Sequence, residues 1–279
     1  MRIHHLNCGS MCPPLGSLIN ERGLLVCHVL LVEAPGGLVL VDTGMGTDDC
    51  EPARTRIHRA FRTLVRPRLE RAETALAQVE ALGFRAADVR HLVLTHLDLD
   101  HAGGISDFPH ARVHLHGPEL DAALRPRGRD RLRYIQAQWA HGPDWASHRA
   151  DPGGERWHGF ECVRDLPGLP PEILLVPLAG HSRGHAGVAI DGGDGWLLHA
   201  GDAYFYHGEM EPEARCTRLL SAFQALDDSD RKARIANQKR LRELALQHAD
   251  VRVFCAHDPV ELERARAAAG TAVAAQVAS

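Results

Sequence analysis

Cys-x-x-Cys pairs are absent from this chain of 279 residues. Its seven cysteines are odd in number and scattered, which argues against a disulfide framework and favours a reducing compartment. The first residues lack the basic-then-apolar order of a secretory signal. The longest apolar stretch, 24–32, is interrupted by His28 and is too short to cross a membrane. We therefore expect a cytoplasmic protein without a membrane partner.

The chain also lacks a large charge of either sign. Its formal net charge is −4, and 24% charged with 44% apolar residues is ordinary for a soluble globular protein. This balance gives no reason to expect a nucleic acid or an anionic membrane as partner. The arginine-rich stretch 125–133 is a local exception, which we interpret as a solvated face, with an anion-binding patch as the alternative. The length allows a full core, and we expect one domain over residues 1–279.

Grouped strands and helices indicate a layered α+β protein. Apolar runs over 24–33 and 38–42, split by proline and glycine, predict a hairpin. Helical spacing over 70–82 ends at Gly83, a typical residue just beyond a helix. The other predicted strands are 91–95, 112–116, 172–178, 186–190, 196–199 and 251–255, and the other predicted helices are 118–124, 228–248 and 259–269. Residues 125–165 hold three of the four tryptophans, and we interpret them as a lid-like insertion whose tryptophans form an apolar wall for a substrate.

Side chains that can bind a metal ion are most concentrated in residues 95–104, with the sequence THLDLDHAGG, at the end of predicted strand 91–95. Histidine and carboxylate are ligands for zinc, iron and manganese. A structural site would more typically recruit four cysteines, so this group indicates an open, reactive site. Four metal-capable side chains fall within six residues: His96, Asp98, Asp100 and His101.

Further candidates each follow a predicted strand, where loops carry chemistry on a rigid base. They are Asp42 in Asp-Thr-Gly, His181 and His185 in Gly-His-Ser-Arg-Gly-His, Asp202 in Gly-Asp, and His257 in His-Asp. In this order with the 95–104 box, the motifs resemble the metallo-β-lactamase-fold hydrolase superfamily over residues 39–258. The layout is most similar to the N-acyl homoserine lactonases. The resemblance implies a four-layer αββα sandwich with two metal ions in a groove at its top.

By position, the resemblance implies seven metal ligands. They are His96, Asp98 and His185 for the first ion, Asp100, His101 and His257 for the second, and Asp202 as the bridge. Asp42 would orient a ligand histidine through its ring N–H, and His181 would lie in the loop or behind the ligands.

Two positions depart from the relatives. Most have a histidine where this chain has Asp98, which is a harder ligand and adds negative charge. We expect two divalent ions, zinc first, with manganese or iron as alternatives because of Asp98. The lactonases place a tyrosine three residues after the bridging aspartate, where this chain has Phe205. Tyr204 and Tyr206 stand on either side, and either would supply the hydroxyl.

The reaction implied by the resemblance is the hydrolysis of a carboxylic ester or a lactone, such as an N-acyl homoserine lactone, by a metal-bridging hydroxide. Asp100 or Asp202 would carry the proton to the leaving oxygen, and Tyr204 or Tyr206 would donate a hydrogen bond to the carbonyl. The alternatives are a thioester hydrolase of the glyoxalase II type and a di-iron oxidoreductase. We expect a small-molecule substrate, and a homodimer is the assembly to test.

Overall fold

Two β-sheets pack face to face between two layers of helices. The structure, a computed structural model, describes residues 1–277. β1 to β3 are antiparallel neighbours, and β3 to β6 run parallel. The first sheet has six strands in chain order: β1 (Arg2–Met11), β2 (Leu25–Ala34), β3 (Gly37–Val41), β4 (Val89–Val93), β5 (Arg112–His116) and β6 (Asp144–His148).

The second sheet has four strands. The strands of this second sheet are β9 (Ile173–Pro177), β10 (Ala186–Asp191), β11 (Trp196–His199) and β12 (Val251–Phe254). A separate two-stranded ribbon of β7 (Arg156–Trp157) and β8 (Phe160–Glu161) precedes the second sheet in the chain. The order across the sheet is β12-β11-β10-β9, and only the β11–β12 pair is parallel.

Helices cover the outer faces of both sheets. The α-helices within residues 1–277 are α1 (Thr47–Cys50), α2 (Arg59–Leu64), α3 (Ala75–Ala81), α4 (Leu99–Ala102), α5 (Gly117–Leu124), α6 (Asp130–Arg133), α7 (Arg218–Asp227), α8 (Arg231–Gln247) and α9 (Pro259–Val277). Short 3₁₀ turns lie at Gly16–Leu18, Arg71–Glu73, Ala86–Asp88, Gly103–Asp107, Gln136–Trp139 and His207–Met210. In this part of the chain, no helix combines the length and the apolar character needed to cross a membrane.

The core forms three apolar layers because successive side chains along a strand face opposite ways. Leu30 of β2 and Leu175 of β9 join one buried cluster between the sheets. Leu31 faces the other way, into a cluster with α3 and α5. Leu174 packs behind the second sheet with Leu241 of α8. The order of helices, sheet, sheet and helices confirms the predicted αββα sandwich.

The carboxyl ends of four strands converge at one edge of the sandwich. In the first sheet, the parallel neighbours β3 and β4 lead into Asp42 and Thr95. In the second sheet, the parallel neighbours β11 and β12 lead toward Asp202 and His257. Backbone hydrogen bonds tie these loops to strands of the opposite sheet: the Ala186 N–H in β10 donates to Thr95 O at 2.9 Å, and the Val26 N–H in β2 donates to His257 O at 3.3 Å. The candidate residues therefore meet at this edge.

The helix predicted over 70–82 begins later than expected. The Thr74 side-chain oxygen accepts a hydrogen bond from the Ala77 N–H at 3.2 Å, so α3 begins directly after this N-cap. The preceding residues form a 3₁₀ turn. The predicted end is confirmed, because Leu82 is the C-cap and Gly83 has a left-handed φ of +88°.

Residues 125–165 divide among several parts of the fold. Strand β6 pairs in parallel with β5 and extends the first sheet. Trp139 and Trp145 pack in the cluster with α3 and α5, and Trp157 packs behind the second sheet. Large aromatic side chains contribute most when buried in this way. The tryptophans therefore belong to the core and do not form the predicted wall for a substrate.

Candidate metal centre

Side-chain donor atoms from four residues converge between the loop after β4 and the second sheet. Asp98 Oδ2 lies 3.0 Å from His181 Nε2 and 3.5 Å from His96 Nε2. Asp202 Oδ2 lies 3.4 Å from His181 Nε2 and 3.8 Å from His96 Nε2. We call this group position one.

A second group shares Asp202, and we call it position two. Asp202 Oδ1 lies 3.3 Å from His101 Nε2, and Asp202 Oδ2 lies 3.1 Å from His257 Nε2. The two ring nitrogens are 3.4 Å apart, and Asp100 Oδ2 lies 3.7 Å from His257 Nε2. The Cys27 thiol lies close enough to Asp100 and His257 to form a candidate metal-binding group with them, which the sequence did not indicate.

The donor atoms fit metal ions at both positions. A tetrahedral ion with bonds of about 2.0–2.2 Å separates its ligand atoms by about 3.3–3.6 Å. The distances above range from 3.0 to 3.8 Å. His96 Nε2 and Asp202 Oδ1 are buried without a hydrogen-bond partner among the described residues, a costly state that a bound cation relieves. The chain therefore has the residues to hold two ions that share Asp202.

Three ligand histidines are fixed from behind through Nδ1. The pairs are Asp42 Oδ2 with His101 at 2.9 Å, Val26 O with His257 at 2.7 Å and Thr95 Oγ1 with His96 at 2.9 Å. These bonds place the ring proton on Nδ1 and direct each Nε2 toward the carboxylates of positions one and two. Asp42 also accepts from Thr95 and has a φ of +59°, a conformation that aspartate tolerates. Asp42 thus holds the place from which it was predicted to orient a histidine.

Burial and charge act against each other in the cluster. Burial alone would raise the pKa of the Asp42 carboxyl, but His101 brings it down to about 2. Burial would lower the pKa of His101, whereas Asp202, Asp42 and Asp100 raise it well above its usual range. The pKa of Asp202 lies well below its usual range because His257 and His101 outweigh burial. Asp42 and Asp202 are therefore ionised at neutral pH.

His185 does not join the cluster, contrary to the assignment implied by the resemblance. Its Nδ1 donates to Leu178 O at 3.2 Å, and its Nε2 accepts from the Asp202 N–H at 2.9 Å. Both ring nitrogens are thus bonded to the backbone. The first histidine of the same motif, His181, points its Nε2 at Asp98 and Asp202 instead. In this structure His181, which was expected in the loop or behind the ligands, takes the place at position one that the resemblance gives to His185.

Comparison with known proteins identifies the family. The sequence profile of the metallo-beta-lactamase superfamily matches residues 22–257. The chain belongs to this superfamily. A probable metallo-hydrolase of Mycobacterium tuberculosis is 45% identical over 270 residues, which cover 95% of this chain and 83% of that protein. The N-acyl homoserine lactonase AttM of Rhizobium radiobacter is 25% identical over 234 residues, which cover 82% of this chain and 80% of the lactonase.

Solved structures have the same fold. An N-acyl homoserine lactone hydrolase with the product N-hexanoyl-L-homoserine at its catalytic metal centre gives a TM-score of 0.69 at 20% identity, covering 94% of this chain and 95% of that one. The dizinc quorum-quenching lactonase AidC gives 0.58 at 19% identity, covering 92% and 87%. At such identities the likeness establishes the metallo-β-lactamase fold alone.

The two candidate tyrosines of this metallo-β-lactamase-fold protein have different surroundings. Tyr204 is fully buried behind the second sheet, and its hydroxyl donates to Glu261 at 2.9 Å. Tyr206 lies in another apolar cluster together with Phe205, whose ring centre is 4.8 Å from that of His257. Tyr204 is therefore committed to the core, and the Tyr206 hydroxyl is hydrogen-bonded to Glu21.

The cluster is most accessible at two of its carboxylates. The side chains of His96, His257 and Asp202 are at most 4% exposed. Those of Asp98 and Asp100 are 13% and 11% exposed. Solvent therefore reaches the cluster mainly at Asp98 and Asp100.

An arginine from α6 reaches position one. Arg133 Nη1 lies 2.5 Å from Asp98 Oδ2 and 3.0 Å from His181 Nε2. Its Nη2 donates to the Asp227 carbonyl oxygen and lies 3.2 Å from Asp227 Oδ1. The side chain is only 8% exposed, so Arg133 departs from the solvated face expected over 125–133. No local pattern distinguishes it from its neighbouring arginines.

Glu119 in the first turn of α5 also lacks a sequence signal. Its fully buried carboxylate accepts four hydrogen bonds. The donors are the Leu97 N–H at 3.0 Å, the Tyr134 hydroxyl at 3.1 Å, the Ser182 hydroxyl at 2.6 Å and the Gly184 N–H at 3.0 Å. These bonds join the 96–98 loop, the His181 loop and the segment that carries Arg133. Acidic residues are common in the first turn of a helix because they interact favourably with the helix dipole. The sequence pattern therefore does not distinguish the role of Glu119.

Proposed function

We propose that this metallo-hydrolase opens a lactone or cleaves a small carboxylic ester, with N-acyl homoserine lactones as the first substrates to test. The observation that carries the proposal is the pair of donor groups that share Asp202 and are accessible past Asp98 and Asp100. Metal ions held there supply Lewis acidity for a carbonyl oxygen and a water nucleophile at neutral pH. Lactonases among the similar sequences and structures support this substrate class.

Asp100 is the carboxylate that we assign to proton transfer. Asp98 is paired with Arg133, and Asp202 belongs to both positions. Asp100 is at the accessible side of the cluster, with Oδ2 3.7 Å from His257 Nε2. A carboxylate beside the reacting atoms takes the proton of the attacking water and returns it to the leaving alkoxide oxygen.

Apolar side chains next to position two suit an acyl chain. The Phe205 ring centre lies 4.8 Å from that of His257 and 5.9 Å from that of Phe223, which is 39% exposed. Leu99 and Tyr206 belong to the same cluster. Pockets for small ligands combine such apolar walls with a few polar groups. Of the two tyrosines, Tyr206 is the one that we assign to the substrate carbonyl; its hydroxyl, which is hydrogen-bonded to Glu21, would have to turn toward position two.

A proton-release assay tests this proposal. The panel contains N-hexanoyl-homoserine lactone, a simple γ-lactone, a linear ester, a thioester and a β-lactam. The wild type is expected to turn over a lactone or the ester most rapidly. Asp202→Asn is expected to lose at least about a hundredfold in kcat/KM because the shared ligand is weakened. Asp194→Asn, at an exposed aspartate far from the strand ends that build the cluster, is the matched control and should keep wild-type rates.

Three results would contradict the proposal. If metal-loaded protein hydrolyses neither lactone nor ester, the proposed substrate class is wrong. A clear preference for the thioester would favour a hydrolase of the glyoxalase II type. Iron as the bound metal in purified protein, together with absence of hydrolysis, would favour the di-iron oxidoreductase.

A further inference from the structure

The Arg133 guanidinium lies against the atoms that define position one. Its Nη1 is within hydrogen-bond distance of both Asp98 Oδ2 and His181 Nε2. These two atoms are donors that a metal ion at position one would need. Since arginine keeps its proton at any physiological pH, the group is a permanent cation at that place.

The guanidinium is held firmly in position. The Asp227 carbonyl oxygen and Oδ1 bind its other nitrogen. The next residue, Tyr134, donates to buried Glu119, and Asp130 at the start of α6 accepts from Arg183 Nε at 2.8 Å. Arg133 is therefore anchored on both sides and is not a surface side chain that happens to reach inward.

The charges make the two positions unequal. Asp98 adds one negative charge to position one, and Arg133 is shared between Asp98 and Asp227, whose Oδ2 lies 3.7 Å from His181 Nε2. Among the described residues, no arginine or lysine pairs with His101, His257 or Asp100 of position two. A cation next to a cation site weakens binding there by direct repulsion and by competing for the ligand.

We infer that Arg133 is a resident cation that competes with a divalent metal ion for Asp98 and makes position one the weaker of the two. The inference rests on the proposed metal-dependent function. Asp98 Oδ1 is buried and has no hydrogen-bond partner among the described residues. If an ion bound Oδ2, the guanidinium would keep its contacts with Asp227 through Nη2, and Nη1 would have this free oxygen as an acceptor. Arg133 is in this sense a positioning residue, and it sets how readily the second ion enters.

Zinc titration of chelator-treated protein against a chromophoric chelator tests the inference. The wild type should bind two ions with dissociation constants at least about tenfold apart. His181→Ala should remove only the weaker step, and His257→Ala should affect the tighter one. Arg133→Met should tighten the weaker step at least about tenfold, because the competing charge is gone. Arg131→Met changes an exposed arginine of the same helix and should leave both constants unchanged.

Several outcomes would overturn the inference. They are two equal wild-type sites, loss of the tighter step in His181→Ala, or an Arg133→Met protein in which the weaker step is unchanged or lost. Arg133→Gln serves as a second neutral variant if the methionine protein does not fold, as judged by thermal unfolding. Wild-type protein that binds no metal would overturn the proposed function as well. If the protein binds two ions with unequal affinity but turns over neither a lactone nor an ester, only the proposed substrate class is wrong.

Discussion

His185 Nε2 accepts a hydrogen bond from the backbone N–H of Asp202 at 2.9 Å. The other ring nitrogen is held by the Leu178 carbonyl, so this buried ring supports the loop of the shared carboxylate and has no nitrogen left for a metal. Its neighbour in the motif, His181, points at the carboxylate itself, with Nε2 3.4 Å from Asp202 Oδ2. One motif thus places one histidine at position one and the other behind the loop of Asp202.

Substitutions at His181 and His185 should therefore differ in their effects: one should lower the metal content and the other the stability of the fold. His181→Ala is expected to lower bound metal by about one ion per chain with little loss of stability. His185→Gln is expected to keep the metal but to destabilise the fold by about 1–3 kcal/mol, because buried backbone groups lose their partners. Element-resolved metal analysis and urea unfolding measure the two effects. Metal loss confined to His185→Gln would restore the assignment implied by the resemblance.

The sequence predicted most of the fold because its strands and motifs are local patterns. The hairpin, the strand ends and the 95–104 box needed only periodicity and spacing. The choice between His181 and His185 depends on the path of their loop. A Cβ on Gly184 would lie 2.0 Å from Glu119 N, so the loop is pressed onto α5, an element far away in the sequence. Arg133 and Glu119 were missed for the same reason, since their partners come from distant segments.

Asp42 offers a test of indirect control over position two. Asp42→Asn keeps the left-handed backbone and an acceptor for Thr95, but it removes the charged partner of His101. We expect affinity for the ion at position two to fall about 10–100-fold, as for other groups that orient metal-binding histidines. Competition with a chromophoric chelator measures it, and Asp194→Asn is again the control. Unchanged affinity would mean that Asp42 serves the loop geometry alone.

Glu119 should matter for stability because four donors share its carboxylate. In Glu119→Gln an amide group takes the place of one oxygen and leaves at least one backbone N–H without an acceptor. We expect a loss of about 1–3 kcal/mol in the free energy of unfolding. Urea unfolding measures it, with the exposed Glu213→Gln as control. Equal stability of Glu119→Gln and wild type would show that the four bonds do not stabilise the fold.

Glu261 gives the fold a pH dependence that is separate from the metal cluster. The carboxyl is buried, accepts from the Tyr204 hydroxyl at 2.9 Å and from the Cys255 N–H at 2.7 Å, and lies near Asp258. Burial and then Asp258 raise its pKa from 4.5 to about 8. The folded protein thus holds a proton that the unfolded chain releases between these pH values. Its ionisation therefore costs stability progressively above pH 4.5 and fully above about pH 8.

Glu261→Gln should remove this cost. The variant is expected to match the wild type near pH 5 and to exceed it near pH 9 by on the order of 1–4 kcal/mol. Thermal and urea unfolding at both pH values, with zinc kept saturating, measure the difference. Glu263→Gln, at an exposed position of the same helix, should show no such divergence. A difference between variant and wild type that is the same at both pH values would show that Glu261 ionises in the folded protein as it does in the unfolded chain.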